Sequence, residues 1–584
     1  MEIAFALLIM LSVYVAPAIA LRPRLIADPA AAAAIPFVGI IAVFLVQSAL
    51  VLSGLYASPG ARLVVIVVAA IAAARLFASR RELAASWAWT RRDAYALGVA
   101  LALGAYVFLR ILENGFNQHD EIYSWNLWAL QQAAGTPPDF TYTAAPYPQL
   151  FPKLLSFKYL LMGSTAAQLP VKASLVISSI ALFYLLGAPG RARDDRMIFA
   201  QAAMGLFLMK VAGFDSILDD GMPDTMMTAA IVASIFFYVG YEESGKREAL
   251  VVSALCASVA VLLKQPAIIW AAFALPVLFA VGAWRGRGRW RDAWLALLPA
   301  FVFFIWTLTE GRAFHANDGV VAMSMEGRSI VEQLIFTLRE WVIGQPALPA
   351  LALFAAVVAW RKGTGRAILA LYAAPAAISW LIVASYDVRA GAPAIAAAAL
   401  VAALGGYGMT AFAGPARLVA LKTLERRGAL FGLVAAMIFA GAYELHLYAR
   451  DNPAWRFGET QTNNLIVVFA DDAPIVSAAI DEPGAVVWTP TPYVYGLFYD
   501  RAALMRPQAK TYTPASLLAE LRDAQPDFVD DGGVISFGPA GPALASLARA
   551  CPDLFDRVAG PATRYKITLY RVDRRALASS ACAP

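Results

Sequence analysis

Long apolar segments separated by short polar connections make up most of the chain up to about residue 448. Many of them hold roughly 17–25 residues, the length that a helix needs to cross a bilayer. The pattern therefore predicts a helical, polytopic membrane domain over residues 1–448 with about fourteen spans of that length. The predicted spans lie near residues 3–21, 35–54, 62–78, 94–112, 167–187, 197–213, 222–240, 249–263, 266–283, 293–309, 346–360, 367–385, 392–412 and 429–448. The first of them shows no clear cleavage site and is expected to be a retained span.

The pattern changes after about residue 449, where the apolar runs shorten to the length of strands. Strand patterns alternating with helical ones are typical of a small α/β domain. We therefore expect such a domain over residues 449–584. Its predicted strands lie at 465–469, 486–488, 527–529 and 567–570, and its clearest predicted helix lies at 514–524.

Composition and charge add an orientation to this arrangement. The chain has 584 residues, of which 60% are hydrophobic and 15% charged, and its mean hydropathy is +0.62. The net charge of +6 comes mostly from arginines, which are concentrated in every second connection. The positive-inside rule makes those connections cytoplasmic. The N-terminus, the remaining loops and residues 449–584 are then periplasmic, if the protein lies in a bacterial inner membrane. Basic loops that orient spans give no reason to expect a nucleic-acid partner.

The loops expected on the outer side carry unusual polar residues: the adjacent carboxylates Asp120 and Glu121, then Asp224, Lys264 and Arg389. Charges beside a bilayer usually face a cavity or a site. Each of these residues also has an ordinary explanation. Asp224 is suited to capping the next span, and Arg389 is suited to anchoring a helix at the head groups. Their location on one side of the membrane nevertheless favours a shared site.

The first outer loop is expected to hold two helices lying along the membrane surface. Residues 123–134 have a helical pattern with Trp125 and Trp128 three positions apart, and such aromatic residues suit a membrane–water interface. Gly135 to Pro138 end this helix. The second helix follows and ends near Met162.

Several kinds of chemistry are excluded by missing motifs. The chain has neither a Gly-rich phosphate loop nor a nucleophile-elbow sequence. Three histidines and three cysteines, with no metal-ligand spacing, make a catalytic metal site built from these residues improbable. A disulfide between Cys551 and Cys582 stays open. What remains is a carboxylate acting as general base with cations that stabilise a phosphate leaving group. An enzyme that works on the outer side of the membrane, without nucleotide donors, would use a donor dissolved in the membrane, and a polyprenyl-phosphate sugar meets that need.

Short motifs along the chain resemble those of the GT-C superfamily of membrane glycosyltransferases, most closely its protein-mannosyltransferase and aminoarabinose-transferase branch. They are the acidic pair Asp120-Glu121 followed by Tyr123, the stretch Tyr147-Pro148-Gln149-Leu150-Phe151-Pro152, Gly221-Met222-Pro223-Asp224, the break Leu263-Lys264-Gln265-Pro266-Ala267, and Tyr386-Asp387-Val388-Arg389 with Pro393. In that family the acidic pair follows the first span. Here three predicted spans precede its own, which indicates an N-terminal extension.

The resemblance implies a GT-C-type fold and an inverting hexosyl- or pentosyltransferase of the cell envelope. Its donor would be a polyprenyl-phosphate sugar and its acceptor a lipid, a glycan or a protein. No cofactor is firmly implied, and a divalent metal stays open. The alternatives are an oligosaccharide polymerase or ligase, and a transporter or flippase of lipid-linked glycans.

The resemblance also implies roles for individual residues. Asp120 would deprotonate the acceptor hydroxyl, and Glu121 would orient the acceptor or Asp120. The remaining predicted substrate-binding residues are Lys264 and Arg389 on the phosphate, Asp224 ordering the same cavity, and Tyr123 and Tyr147.

Overall fold

A computed structural model of the chain describes residues 2–114, 116, 121–138, 147–165, 167–191, 196–210, 214–309, 329–339, 347–359, 363–383, 388–406, 484–489, 502–505, 512–531, 540–560 and 568–579, with the single positions 442, 446 and 450. Asp120, and all but two residues of the predicted span 429–448, lie outside these ranges.

Helices form nearly all of the described chain before residue 407. The first eight are α1 Ile3–Leu21, α2 Ile35–Leu52, α3 Ser58–Ala85, α4 Arg91–Asn114, α5 Leu127–Ala133, α6 Leu150–Met162, α7 Gln168–Leu186 and α8 Arg196–Lys210. The next eight are α9 Pro223–Ser244, α10 Arg247–Leu263, α11 Gln265–Trp284, α12 Trp290–Thr309, α13 Ile330–Thr337, α14 Ala347–Ala359, α15 Gly363–Ile382 and α16 Val388–Leu404. A π-helical turn, Glu121–Asn126, leads directly into α5.

Nine of the described helices are long and apolar enough to cross a membrane, and three shorter apolar helices accompany them. Their positions follow the predicted spans closely, which confirms a helical membrane protein, while the number of fourteen stays a prediction. Proline at the first or second position begins several helices, including α2, α3 and α9. Its fixed φ suits the first helical turn and its missing N–H costs nothing there.

The two helices predicted in the first outer loop are present as α5 and α6. The prediction for their tryptophan side chains was wrong. Trp125 and Trp128 are buried against Tyr147 and Phe151 instead of facing a membrane surface. The reason is that α5 and α6 pack on each other. The side chains of Trp125 and Trp128, which we expected at the membrane surface, are therefore covered by protein.

The C-terminal part contains a five-stranded sheet with the order β2-β1-β3-β5-β4. Its elements are β1 Ala485–Trp488, β2 Ala502–Met505, α17 Pro514–Ala524, β3 Phe528–Asp530, α18 Ala540–Ala550, β4 Phe555–Ala559, β5 Leu569–Val572 and α19 Arg574–Ser579. β1 pairs in parallel with β2 and β3, whereas β5 is antiparallel to β3 and β4.

The strands predicted at 486–488, 527–529 and 567–570 correspond to β1, β3 and β5, and that at 465–469 lies outside the described residues. β2 and β4 were not predicted, because one lacks β-branched residues and the other carries two charges. Cys551 is buried and disulfide-bonded; Cys582 lies outside the described residues.

Candidate active site

The segment from Asp219 to Asp224, which leads into the first turn of α9, lies at the centre of the candidate site. Its backbone is extended at Met222, and Pro223 then begins α9. Within six residues the segment presents three carboxylates and one backbone N–H to side chains from distant parts of the chain. Asp224 belongs to one buried ion pair, and the Gly221 N–H contacts a second pair, formed by Glu121 and Lys172.

The first pair joins Glu121 to Lys172, and neither side chain is exposed to solvent. The Lys172 ammonium donates to both Glu121 carboxylate oxygens at 3.0 Å. The Gly221 backbone N–H donates to the same carboxylate. Three hydrogen bonds from these two groups satisfy the buried carboxylate well, which is what a buried charge requires.

Gly221 has no room for a side chain. A Cβ at this position would lie 2.4 and 2.7 Å from two ring carbons of Phe116. The same ring lies 5.5 Å from the Lys172 ammonium. The glycine in the Gly-x-x-Asp motif is therefore explained by the close approach of its backbone to Phe116 and Glu121.

The second pair joins Asp224 to Lys264. The Lys264 ammonium donates to the two carboxylate oxygens at 2.8 and 2.9 Å, and Asp224 is 1% exposed against 19% for the lysine. Lys264 follows the end of α10 in an extended conformation and Pro266 follows two residues later. The predicted break between the two helices thus serves to aim the lysine at Asp224.

This pairing overturns one interpretation of Asp224. The N-cap residue of α9 is Met222, and no side chain caps the helix there. Asp224 is the second residue of α9 and its carboxylate is held by Lys264, so it is not a helix cap.

Asp220 is a third buried carboxylate beside these pairs. Burial raises the pKa of the Asp220 carboxyl well above its ordinary value, and the nearby Glu121 carboxylate raises it further. The cations Lys172 and Arg389 act in the opposite direction. Asp220 therefore holds its proton more strongly than an exposed aspartate.

Arg389, near the start of α16, brings a third cation to the site. Its guanidinium contacts the Met222 sulfur and acts electrostatically on both Asp220 and Lys264. Arg389 is half-buried, so protein groups cover part of the side chain.

Tyr147 borders the second ion pair. Its ring centre lies 5.0 Å from that of Trp125, and its hydroxyl is among the groups that act electrostatically on Lys264. Tyr123 lies in the π-helical turn that also contains Glu121, and its side chain lies outside what the structure describes.

Sequence reasoning missed three basic residues. Arg110 lies 3.7 Å from Asp219, the Lys210 ammonium donates to the Tyr106 hydroxyl, and Lys172 pairs with Glu121. Lys172 had a usable signal, since an ionisable residue inside an apolar helix marks a candidate site by default. Among the described residues, no group of three or more His, Cys, Asp or Glu side chains is placed to hold a metal ion.

Comparison with known proteins decides the fold. No protein-family model and no curated protein matches the chain. The solved structure of ArnT from Cupriavidus metallidurans bound to undecaprenyl phosphate matches with a TM-score of 0.52 at 14% identity, over 84% of this chain and 98% of that one. The chain has the GT-C fold. The apo state of ArnT from the same organism matches with a TM-score of 0.51 at 15% identity, over 82% of this chain and 98% of that one.

Proposed function

We propose that this GT-C protein is an inverting glycosyltransferase that moves a sugar from a polyprenyl-phosphate donor to a membrane-associated acceptor. The observation that carries the proposal is the segment Asp219 to Asp224, which joins two buried carboxylate–ammonium pairs and contacts a third cation, Arg389. The structural likeness to ArnT, solved with undecaprenyl phosphate, supports the donor class.

The charge of this cluster suits a phosphate. Lys172, Lys264 and Arg389 face the carboxylates of Glu121, Asp220 and Asp224. Among these six residues, protonation of Asp220 leaves three positive charges against two negative ones. Arg389 is the natural phosphate ligand, because it is half-buried and its guanidinium offers a fork of donors that matches phosphate oxygens.

This assignment modifies the role expected for Lys264. Its ammonium is already engaged by both oxygens of Asp224. We infer that Lys264 contributes to phosphate binding through the electrostatic field of the pair and by keeping Asp224 in place; its side chain is 19% exposed.

The reaction proposed is a single in-line displacement. Asp120 takes the proton of the acceptor hydroxyl, the acceptor oxygen forms the new bond to the anomeric carbon, and the bond from that carbon to the phosphate oxygen breaks. Polyprenyl phosphate leaves with the electron pair, and its growing charge is stabilised by the cations. Glu121 is buried and its carboxylate accepts hydrogen bonds from Lys172 and Gly221. Its proposed role is therefore to fix the backbone next to Asp120.

The site is proposed to open on the periplasmic face of the bacterial inner membrane. The basic connections, such as the one from α9 to α10 with Lys246 and, at the start of α10, Arg247, alternate with the loops that lead to the site residues. On that face the enzyme can use a polyprenyl-phosphate sugar dissolved in the membrane, so it needs no nucleotide-sugar donor.

A binding experiment tests the donor class. The purified full chain, in detergent, is mixed with undecaprenyl phosphate or with undecaprenol, which lacks the phosphate, and retained lipid is measured by native mass spectrometry. Selective retention of the phosphate form, weakened roughly tenfold or more in Arg389→Ala by loss of a charge-assisted contact, supports the proposal. Equal retention of the two lipids by the wild type contradicts it.

A further inference from the structure

A strongly basic loop joins α11 to α12. Residues 284–291, called the arginine loop below, read Trp-Arg-Gly-Arg-Gly-Arg-Trp-Arg. Helix α11 has 20 residues and begins directly after Lys264. A helix of that length rises about 30 Å, so the arginine loop lies at the opposite end of α11 from the candidate active site. The proposed reaction gives this loop no role.

The arginines of this loop carry positive charge that no carboxylate balances. All of them are exposed, and none forms an ion pair within the described part of the chain; they are Arg285, Arg287, Arg289 and Arg291. The neighbouring carboxylate in the sequence, Asp292, is buried and pairs with Arg247 at 3.2 Å. A guanidinium offers a planar fork of donors that matches phosphate oxygens. The loop therefore presents a surface suited to phosphate groups.

Exposed tryptophans flank the arginines. Trp284 ends α11 and is 86% exposed, while Trp290 begins α12 and is 58% exposed. Trp294, one turn further along α12, is 52% exposed. Tryptophan is enriched at the interface between head groups and acyl chains, and these three lie at adjoining ends of two membrane helices. The arginines between and beside them are therefore at the depth of the phospholipid phosphates.

The backbone of the arginine loop is held against α9. The Arg289 backbone N–H donates to the Tyr241 hydroxyl at 3.2 Å. Gly288 passes the same hydroxyl so closely that a Cβ there would lie 3.2 Å from its oxygen. Gly286 has a φ of +73°, which side-chain-bearing residues rarely adopt. A loop fixed in this way loses less conformational entropy when its arginines bind a partner.

Basic charge alone would orient the helices, since the positive-inside rule requires nothing more. It does not account for exposed tryptophans on both sides of the arginines or for a backbone held against Tyr241. The connection from α9 to α10, with Lys246 and Arg247, carries basic charge without any tryptophan. Arginines beside aromatic rings also bind single-stranded nucleic acid, but the tryptophans here lie at the ends of two membrane helices. The combination therefore favours a membrane lipid.

We propose that the arginine loop binds the head groups of anionic phospholipids in the leaflet opposite the candidate active site. The lipid phosphates lie against the guanidinium groups, and the tryptophans contact the glycerol and the upper part of the acyl chains. This binding holds the connected ends of α11 and α12 at a fixed depth in the membrane. It goes beyond the proposed glycosyltransferase reaction and does not depend on it.

Native mass spectrometry with named lipids tests the binding. The purified full chain, in detergent, is mixed with equal amounts of palmitoyl-oleoyl phosphatidylglycerol, which is anionic, and the corresponding phosphatidylcholine. The variant Arg285→Gln/Arg289→Gln removes two charges and leaves Arg287, which also acts electrostatically on Tyr238. Each arginine beside an anionic surface strengthens binding roughly fivefold, so the preference for phosphatidylglycerol should fall roughly twentyfold in this variant. Equal retention of the two lipids by the wild type would overturn the proposal.

A charge-matched control locates the bound lipid. Arg80→Gln/Arg81→Gln removes two exposed arginines near the end of α3, in another basic connection, and its preference for phosphatidylglycerol should stay near the wild-type value. An equal loss in both double variants would show that net charge alone attracts the lipid, and would contradict a site at the arginine loop. Should Arg285→Gln/Arg289→Gln lower the Tm, Arg285→Gln/Arg291→Gln replaces it.

Two further samples separate this proposal from its rivals. The preference for phosphatidylglycerol should survive in Arg389→Ala; its loss there, with persistence in Arg285→Gln/Arg289→Gln, would place the phospholipid at the candidate active site and overturn the proposal. Oligouridine RNA should not be retained. Retention of this RNA that depends on the loop arginines, without a preference for phosphatidylglycerol, would assign the loop to nucleic acid instead. If the wild type prefers phosphatidylglycerol but does not bind undecaprenyl phosphate, the loop site stands and only the donor proposal fails.

Discussion

Both carboxylate oxygens of Asp224 lie within 2.9 Å of the Lys264 ammonium, although the two residues are 40 positions apart and lie at the ends of different helices. The pair ties the start of α9 to the end of α10, next to Arg389. Its geometry links stability to ligand binding, because the same lysine that neutralises Asp224 borders the proposed phosphate site.

Breaking this pair should destabilise the protein. We expect Lys264→Ala to cost about 3–5 kcal/mol, because it leaves Asp224 buried without its counter-charge. The double variant Asp224→Asn/Lys264→Gln should recover most of the lost stability but not undecaprenyl phosphate binding. Thermal unfolding in detergent and native mass spectrometry measure the two effects.

The control for that experiment is Arg24→Ala, which removes an exposed ion pair with Glu82 of similar length, 2.9 Å, but with both side chains 64% exposed. Exposed pairs contribute little to stability, so its Tm should stay near the wild-type value. A Lys264→Ala variant as stable as Arg24→Ala would show that the Asp224–Lys264 pair does not hold the site together.

The Glu121–Lys172 pair should not tolerate reversal. Glu121→Ala is expected to cost about 3–5 kcal/mol by leaving Lys172 buried and unpaired. Glu121→Lys/Lys172→Glu restores opposite charges, but a lysine at 121 cannot accept the Gly221 N–H bond, so stability should stay low. Glu121→Gln keeps an acceptor oxygen for Gly221 and should lose less. Full recovery of the Tm in the reversed pair would show that the backbone bond is unimportant.

Asp220 should make stability depend on pH. Since its pKa is raised on folding, the folded chain binds this proton more strongly than the unfolded chain. The resulting stabilisation is fully present below the unfolded pKa of about 3.9 and is lost as pH rises through the folded pKa. In Asp220→Asn the free energy of unfolding should no longer fall as pH rises through this pKa. The variant should also bind undecaprenyl phosphate at pH 7 at least as well as the wild type. Identical pH profiles for variant and wild type would contradict the raised pKa.

Cysteine labelling tests the membrane orientation. The chain's own Cys256 is buried and free, and Cys551 is disulfide-bonded. Ala519→Cys, on the exposed side of α17, should react with an impermeant maleimide in intact cells. Lys246→Cys, exposed in a basic connection, should react only after permeabilisation. The reverse pattern would place the site on the cytoplasmic side and remove the argument for a lipid-linked donor.

Local signals made parts of this structure predictable. Helix α17 spans the predicted residues 514–524, because Thr513 and Ser516 form a capping box and Pro514 follows the cap. The break at Lys264 was also visible, since Pro266 cannot continue a helix.

Long-range pairings were not predictable in the same way. Lys172 donates a hydrogen bond to Glu121, which is 51 positions away in the sequence, and Gly221 donates one to Glu121 from 100 positions away. Nothing in the local sequence of Lys172 indicates which carboxylate it will bind, although its place in an apolar helix indicates that it must bind one. The burial of Trp125 and Trp128 likewise depends on how α5 and α6 pack.

The central claim is that the chain transfers sugar with Asp120 as the general base. The direct measurement is the rate of polyprenyl phosphate release from a panel of undecaprenyl-phosphate sugars by the purified chain in nanodiscs that contain envelope lipids. With the donor that the wild type uses, Asp120→Asn should lower the rate by about 10²–10⁴ while still binding undecaprenyl phosphate, and the exposed control Asp523→Asn should match the wild type. A near wild-type rate for Asp120→Asn would contradict the account, as would transport of the donor across vesicles without any release of polyprenyl phosphate.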